Sequence, residues 1–187
     1  MAPVSIPTGL GYVEDPLRKL TYFFSEEGNR LRVEVWVHPG GDMPEHIHPN
    51  QDEWFEILEG EVFLSVDGKR RVAHAGERDT VPKGVTHGYY STGEACHLVV
   101  EAEPPSRLQD FLEQAAEMAK AGLYDRRGVP SGPRAGLHLA EFAYRNRDVA
   151  VVTSPPRLLQ SVFFPPLAAV ERGLRALGIG KPAFPPQ

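Results

Sequence analysis

Two histidines stand one residue apart in the stretch GGDMPEHIHPNQDEWFEILEG, residues 40–60, and a glutamate follows five positions after the second. In an extended strand, residues i and i+2 face the same way, so His46 and His48 point together and Ile47 points away. After the turn-like PNQD, a second strand beginning at Glu53 shares its face with Phe55 and Ile57. A third segment, AGERDTVPKGVTHGYYS, passes a tight Pro82–Gly84 turn into a strand on which His87, Tyr89 and Ser91 face together. Three imidazoles and one carboxylate converging in a small barrel suit a borderline divalent metal. Without an ion, the same groups would be buried polar atoms with few partners. His74, His97 and His138 are read by default as hydrogen-bonded core.

The elements that must position these residues divide near residue 105. Before it lie short alternating segments separated by turn signals. KLTYFF and LRVEVWV flank SEEGN, a hairpin with a Gly-Asn turn, and EVFLSV meets KRRVAHAG across Asp67–Gly68. ACHLVVEAE closes the series. Many short strands with Gly and Pro at the turns predict a closed or sandwiched all-β unit over residues 1–105, its core at about 25–103.

After EPP at 103–105 the period becomes helical. Leu108, Phe111, Leu112, Ala115 and Met118 recur at three- and four-residue steps, with Ser106 as the expected N-cap and Gly122 as the stop. GPRAGLHLAEFAYRNRD predicts a second helix with Leu137, Leu139 and Phe142 as its apolar residues. RLLQSVFFPPLAAVERGLRALG predicts a third, broken or kinked at Pro165–Pro166. The tail GKPAFPPQ reads as irregular. Residues 106–187 thus form a helical, Pro-interrupted extension.

Composition excludes several classes. The chain has 187 residues, with 20 basic and 25 acidic side chains and a formal charge of −5, so no basic face is on offer to nucleic acid. A single cysteine, Cys96, leaves no internal disulfide framework. No cationic segment followed by an apolar one opens the chain, and no apolar run reaches 18 residues, so a soluble cytoplasmic protein without an integral membrane segment is expected.

The two segments carrying the site residues resemble both motifs of the cupin superfamily. The first, G(X)5HXH(X)3–4E(X)6G, runs from Gly40 through His46, His48 and Glu53 to Gly60; the second, G(X)5PXG(X)2H(X)3N, runs from Gly76 through Pro82 and Gly84 to His87. It departs at the last position, where Ser91 replaces asparagine. The resemblance implies a mainly β fold, a jelly-roll barrel of the single-domain metal-binding kind followed by the helical extension. It also implies His46, His48, Glu53 and His87 as ligands of one divalent transition metal: Fe(II), Mn(II), Ni(II), Cu(II) or Zn(II).

A fold does not choose a function. An ion with open positions beside four protein ligands points to an enzyme acting on a small organic molecule, and an oxygenase resembling the quercetin dioxygenase branch is the first expectation. In it Glu53 could also take a proton, and Tyr89 could hydrogen-bond a bound substrate. An isomerase, epimerase or decarboxylase using the same ion is the alternative, followed by a metal- or ligand-binding module without turnover. Glu45 and Gln51 read as solvated surface. Trp36 and Trp54 fall on the outer face by alternation, so a second subunit or the C-terminal helices are expected to cover them, with a homodimer favoured.

Overall fold

The computed structural model describes residues 4–5, 9 and 11–179. Strands come first: β1 (Val13–Asp15), β2 (Leu20–Glu27), β3 (Arg30–Val37), β4 (Asp42–Ile47), β5 (Asp52–Glu59), β6 (Glu61–Val66), β7 (Lys69–His74), β8 (Arg78–Val81), β9 (His87–Ser91) and β10 (Cys96–Glu103). There follow α1 (Leu108–Lys120), α2 (Pro133–Arg145), a two-residue strand β11 (Val151–Val152) and α3 (Arg157–Ala176). All strand pairs are antiparallel. They build one sheet ordered β1-β2-β3-β10-β5-β8 and a second ordered β11-β4-β9-β6-β7, a jelly roll.

Alternation decides which face is inside. On β3, Leu31, Val33, Val35 and Val37 are buried; on β10, Cys96, Leu98, Val100 and Ala102 are. Register aligns them in rows across three strands: Val35–Leu98–Ile57, Val33–Val100–Phe55 and Leu31–Ala102–Glu53. Two rows are wholly apolar. The third ends on a carboxylate, placed beside the small side chain of Ala102. From the facing sheet Val62, Leu64, Ala73 and Tyr89 close the same core, so β-branched and aromatic residues fill the interior as the strand pattern requires.

The predicted hairpins form, β2 turning into β3 at Gly28–Asn29 and β6 into β7 at Asp67–Gly68. The first strand begins earlier than the sequence suggests, at Val13, because Val13–Asp15 pair with Leu20–Tyr22. The helix after residue 105 also forms and stops as predicted. Gly122 adopts φ +66° and donates to the Ala119 carbonyl, while Leu123 donates to that of Met118, which satisfies the helix end.

Two expectations fail. Ser106 is not the N-cap: it sits at φ +50°, and Arg107 occupies the cap position without a side-chain cap bond. Pro165–Pro166 do not break α3, which continues through both. Their fixed φ is helical, and the two carbonyls that lose a donor, on Ser161 and Val162, belong to exposed residues where water can bond them. The tryptophans, expected under a second subunit or the C-terminal helices, have neighbours from the β region. Trp36 is only 8% exposed because His97 stacks on it at 4.2 Å and Tyr12 packs edge-on at 5.7 Å. The Arg30 guanidinium lies 4.3 Å from the Trp54 ring. The tail GKPAFPPQ lies outside the described residues.

The extension is built into the barrel. Leu108, Leu112 and Val149 belong to the barrel core, and Phe111 stacks on Phe142 to join α1 to α2. β11 adds to the second sheet, pairing Val151 with Ile47 and Val152 with His46.

Candidate metal centre

Two strands of the second sheet and one of the first deliver the ligands. His46, near the end of β4, pairs across the ladder with His87, the first residue of β9. The ladder shifts register between Met43 and His46, and at that point the β4 backbone presses on Gly88. A Cβ there would meet the Met43 carbonyl oxygen at 2.7 Å, so the close approach requires glycine. His48 follows just beyond β4, and its carbonyl accepts from Gly84 N–H at 2.8 Å, tying the Pro82–Gly84 turn to the ligand loop. Glu53 enters from β5.

The four side chains place one donor atom each within 4.8 Å of one another. His46 Nε2 lies 3.0 Å from His48 Nε2, which lies 3.2 Å from Glu53 Oε1. His87 Nε2 comes within 2.8 Å of Glu53 Oε2, yet it is not aligned for a hydrogen bond and remains unpartnered. Atoms this close at the ends of four side chains are aimed at a common point between them.

The opposite ring nitrogens explain why. His46 Nδ1 faces the Pro44 carbonyl at 2.8 Å, His48 Nδ1 faces that of Val149 at 2.6 Å, and His87 Nδ1 faces that of Val85 at 3.0 Å. A carbonyl only accepts, so each Nδ1 carries the proton, and each neutral ring presents an Nε2 lone pair inward. Three lone pairs and a carboxylate then meet in a space where His48, Glu53 and His87 are almost fully buried. They repel one another unless a cation lies among them, and this donor set fits a divalent transition metal.

Charge tuning agrees at Glu53 and His46 but not at His87. Burial works to raise the Glu53 carboxyl, but His48, His87 and His46 together hold it at about 2, ionised at neutral pH. Burial, reinforced by His87 and His48, drives His46 well below its ordinary value, which keeps it neutral and able to ligate. Burial also lowers His87, and the adjacent Glu53 carboxylate more than reverses this. Among the described residues no Lys or Arg forms an ion pair with Glu53.

All four residues singled out as ligands therefore meet in one place. Tyr89 lies two positions from His87 with Phe55 between the elements, ring centroids 5.9 Å from His87 and 6.4 Å from Tyr89. Tyr89 is 3% exposed, and burial pushes its phenol up, so it stays protonated. Ser91 is away from the ligand corner: its Oγ donates to the Glu94 carbonyl and accepts from Gly93 N–H, closing the strand end.

Other readings need correction. Gln51 is buried, not surface, and donates to the carbonyls of Pro104 and Pro105. Glu45 is half-buried, accepting from Ser65 Oγ at 2.7 Å. His74 is exposed beside Glu61 rather than core, because β7 turns it outward at the sheet edge. The contact that sequence reasoning missed is the Val149 carbonyl on His48. A backbone acceptor 101 residues away carries no side-chain signature.

Residues 33–101 match the family model of the Cupin domain. The barrel is a cupin. Among curated proteins, Oxalate oxidase 1 of Hordeum vulgare is 33% identical over 71 residues, which are 33% of this chain and 35% of that protein. Germin-like protein 3-3 of Oryza sativa subsp. japonica is 31% identical over 64 residues, 30% of this chain and 28% of that one. The chain thus spans about a third of the length of these relatives. Among solved structures, an RmlC-like cupin from Shewanella frigidimarina aligns with a TM-score of 0.48 and 25% identity, covering 55% of this chain and 89% of that chain.

Proposed function

We propose that this cupin is a metal-dependent oxidoreductase, an oxygenase of the dioxygenase type acting on a small organic molecule at a 3-His/1-Glu centre. The observation that carries the reading is the three imidazoles whose Nδ1 atoms are all held by carbonyls while their Nε2 atoms and Glu53 converge. Held there, a divalent transition metal supplies Lewis acidity toward substrate oxygens and, with a redox-active ion, access to dioxygen.

The protein's own residues define the rest of the site. His46 is the half-buried member of the four, so the ligand corner meets solvent on its side and substrate approaches there. Phe55 packs against the buried His87, with Tyr89 against Phe55, and the two exclude water from the opposite side. One oxygen of Glu53 suffices as a ligand, which leaves the other to accept a hydrogen bond or a proton from the substrate. The protonated Tyr89 phenol is a donor toward a substrate oxygen. The name of the barley relative, an oxalate oxidase, supports oxidation over isomerisation and makes a small oxygen-rich acid the first substrate to try.

The test is oxygen uptake by the protein loaded in turn with Fe(II), Mn(II), Ni(II) and Cu(II), given oxalate or a flavonol. Uptake with one of these pairs, abolished by Glu53→Gln, is the expected result. Stoichiometric metal with no oxygen consumed in any pairing would refute the oxygenase reading, and carbon dioxide release from oxalate without oxygen would make the protein a decarboxylase.

A further inference from the structure

α3 turns Glu171 and Arg175 toward α2 and a run of apolar residues toward solvent. Glu171, fully buried, and Arg175 face α2. On the other side Leu158 and Leu177 are each 75% exposed, Val162 57% and Phe163 55%. Along the middle of that face run Leu159, Val162, Pro166, Val170, Gly173 and Leu177, at steps of three and four residues. That spacing draws one line along a helix, the seam along which two helices pack.

We propose that this face is the interface of a homodimer, in which a second copy lays its own α3 antiparallel on the first about a two-fold axis. Area supports it. A helix of 20 residues is about 30 Å long, and half its solvent-facing circumference is roughly 600 Å². Two copies then bury about 1,200 Å², which is what the smallest specific interfaces bury. Pro166 and Gly173 are slim enough on the seam to let the axes approach.

Charge selects both the orientation and the partner. The apolar face holds no acidic side chain, and Arg172 stands at one edge. A parallel pair would set Arg172 against its own copy. An antiparallel pair keeps the two Arg172 side chains apart on opposite sides of the two-fold axis. A bilayer surface fits less well: the opposite edge offers Gln160 in place of a cation, and a chain of formal charge −5 is repelled by anionic lipid.

The decisive experiment is light scattering on the full chain at micromolar concentration, wild type beside the double variant Val162→Glu, Val170→Glu. The wild type is expected at twice the 20.7 kDa chain mass and the variant at once that mass. Because both positions are exposed in the single chain, the variant should keep the wild-type far-ultraviolet circular dichroism and metal content. Amide exchange over residues 157–176 of the wild type gives a second readout, with protection that falls on dilution. A monomeric wild type, a dimer that survives both glutamates, protection independent of concentration, or a wild-type monomer that sediments with phosphatidylserine vesicles would each overturn the proposal.

Discussion

The molecule buries a carboxylate beside imidazole twice, and the two places solve the charge differently. Between α2 and α3, Glu171 is fully buried with His138 Nδ1 at 2.8 Å, Arg175 Nε at 2.9 Å and Arg134 Nη2 at 3.3 Å. Two guanidiniums neutralise it from within the chain, so that cluster carries its own cations. In the barrel, Glu53 is as deeply buried, but its neighbours are three imidazoles whose Nδ1 protons are committed to carbonyls. There the chain supplies donors and withholds a permanent cation. The difference separates a structural ion cluster from a group that could hold a metal ion, although each contains a histidine and a buried glutamate.

The comparison breaks most sharply at the ligands. His48→Ala or His87→Ala should weaken metal affinity by more than the roughly 10–100-fold that outer partners contribute. The barrel should stay folded, because rows of buried Val, Leu and Ile hold it without the ion. Glu53→Gln keeps the shape and an oxygen donor but loses the charge, so metal should be retained in part while turnover is lost. Metal content by elemental analysis and far-ultraviolet circular dichroism read both outcomes.

Glu171→Ala is the converse test. It leaves Arg134, Arg175 and His138 without their shared anion, and a loss of about 2–3 kcal/mol is expected. That is below the full penalty for a broken buried pair, because the two arginine side chains remain 34% and 36% exposed. Denaturant unfolding measures the loss, and metal content should not change. If this variant sheds metal as His87→Ala does, the two clusters are not independent.

What the sequence showed of this contrast follows from range. His46, His48, Glu53 and His87 were legible because strand alternation converts local spacing into a shared face, and Val33, Val35 and Val37 were legible as core for the same reason. Long-range contacts were not. The Val149 carbonyl that orients His48, the Tyr12 ring that covers Trp36, and the Pro104 and Pro105 carbonyls that bury Gln51 come from segments whose approach depends on the finished fold. The Glu171 cluster was invisible because helical periodicity marks apolar stripes, whereas α3 turns Glu171 and Arg175 inward. Pro165–Pro166 misled because the cost of proline depends on whether water can reach the freed carbonyls.

Smaller effects sharpen the geometry. Gly88→Ala should push β4 away from β9, since its Cβ would collide with the Met43 carbonyl and the Glu45 amide nitrogen. His46 would move with the strand, so a fall of about tenfold in metal affinity is expected, measurable by competition with a chelator. Unchanged affinity would mean that the His46–His87 pairing is not held by that contact. Ser91→Asn should do least. It changes a strand-end turn remote from the ligands, so a stability shift of at most about 1 kcal/mol and unaltered metal content are expected from thermal unfolding and elemental analysis.

Metal analysis of protein purified without added metals, followed by titration of a chelated sample with Mn(II), Fe(II), Ni(II), Cu(II) and Zn(II), addresses the account at its centre. Three inward Nε2 lone pairs and an ionised Glu53 predict about one tightly held divalent ion per chain and a melting temperature that rises when the ion returns. A chain that is metal-free as purified, and whose melting temperature none of the five ions shifts, would contradict it.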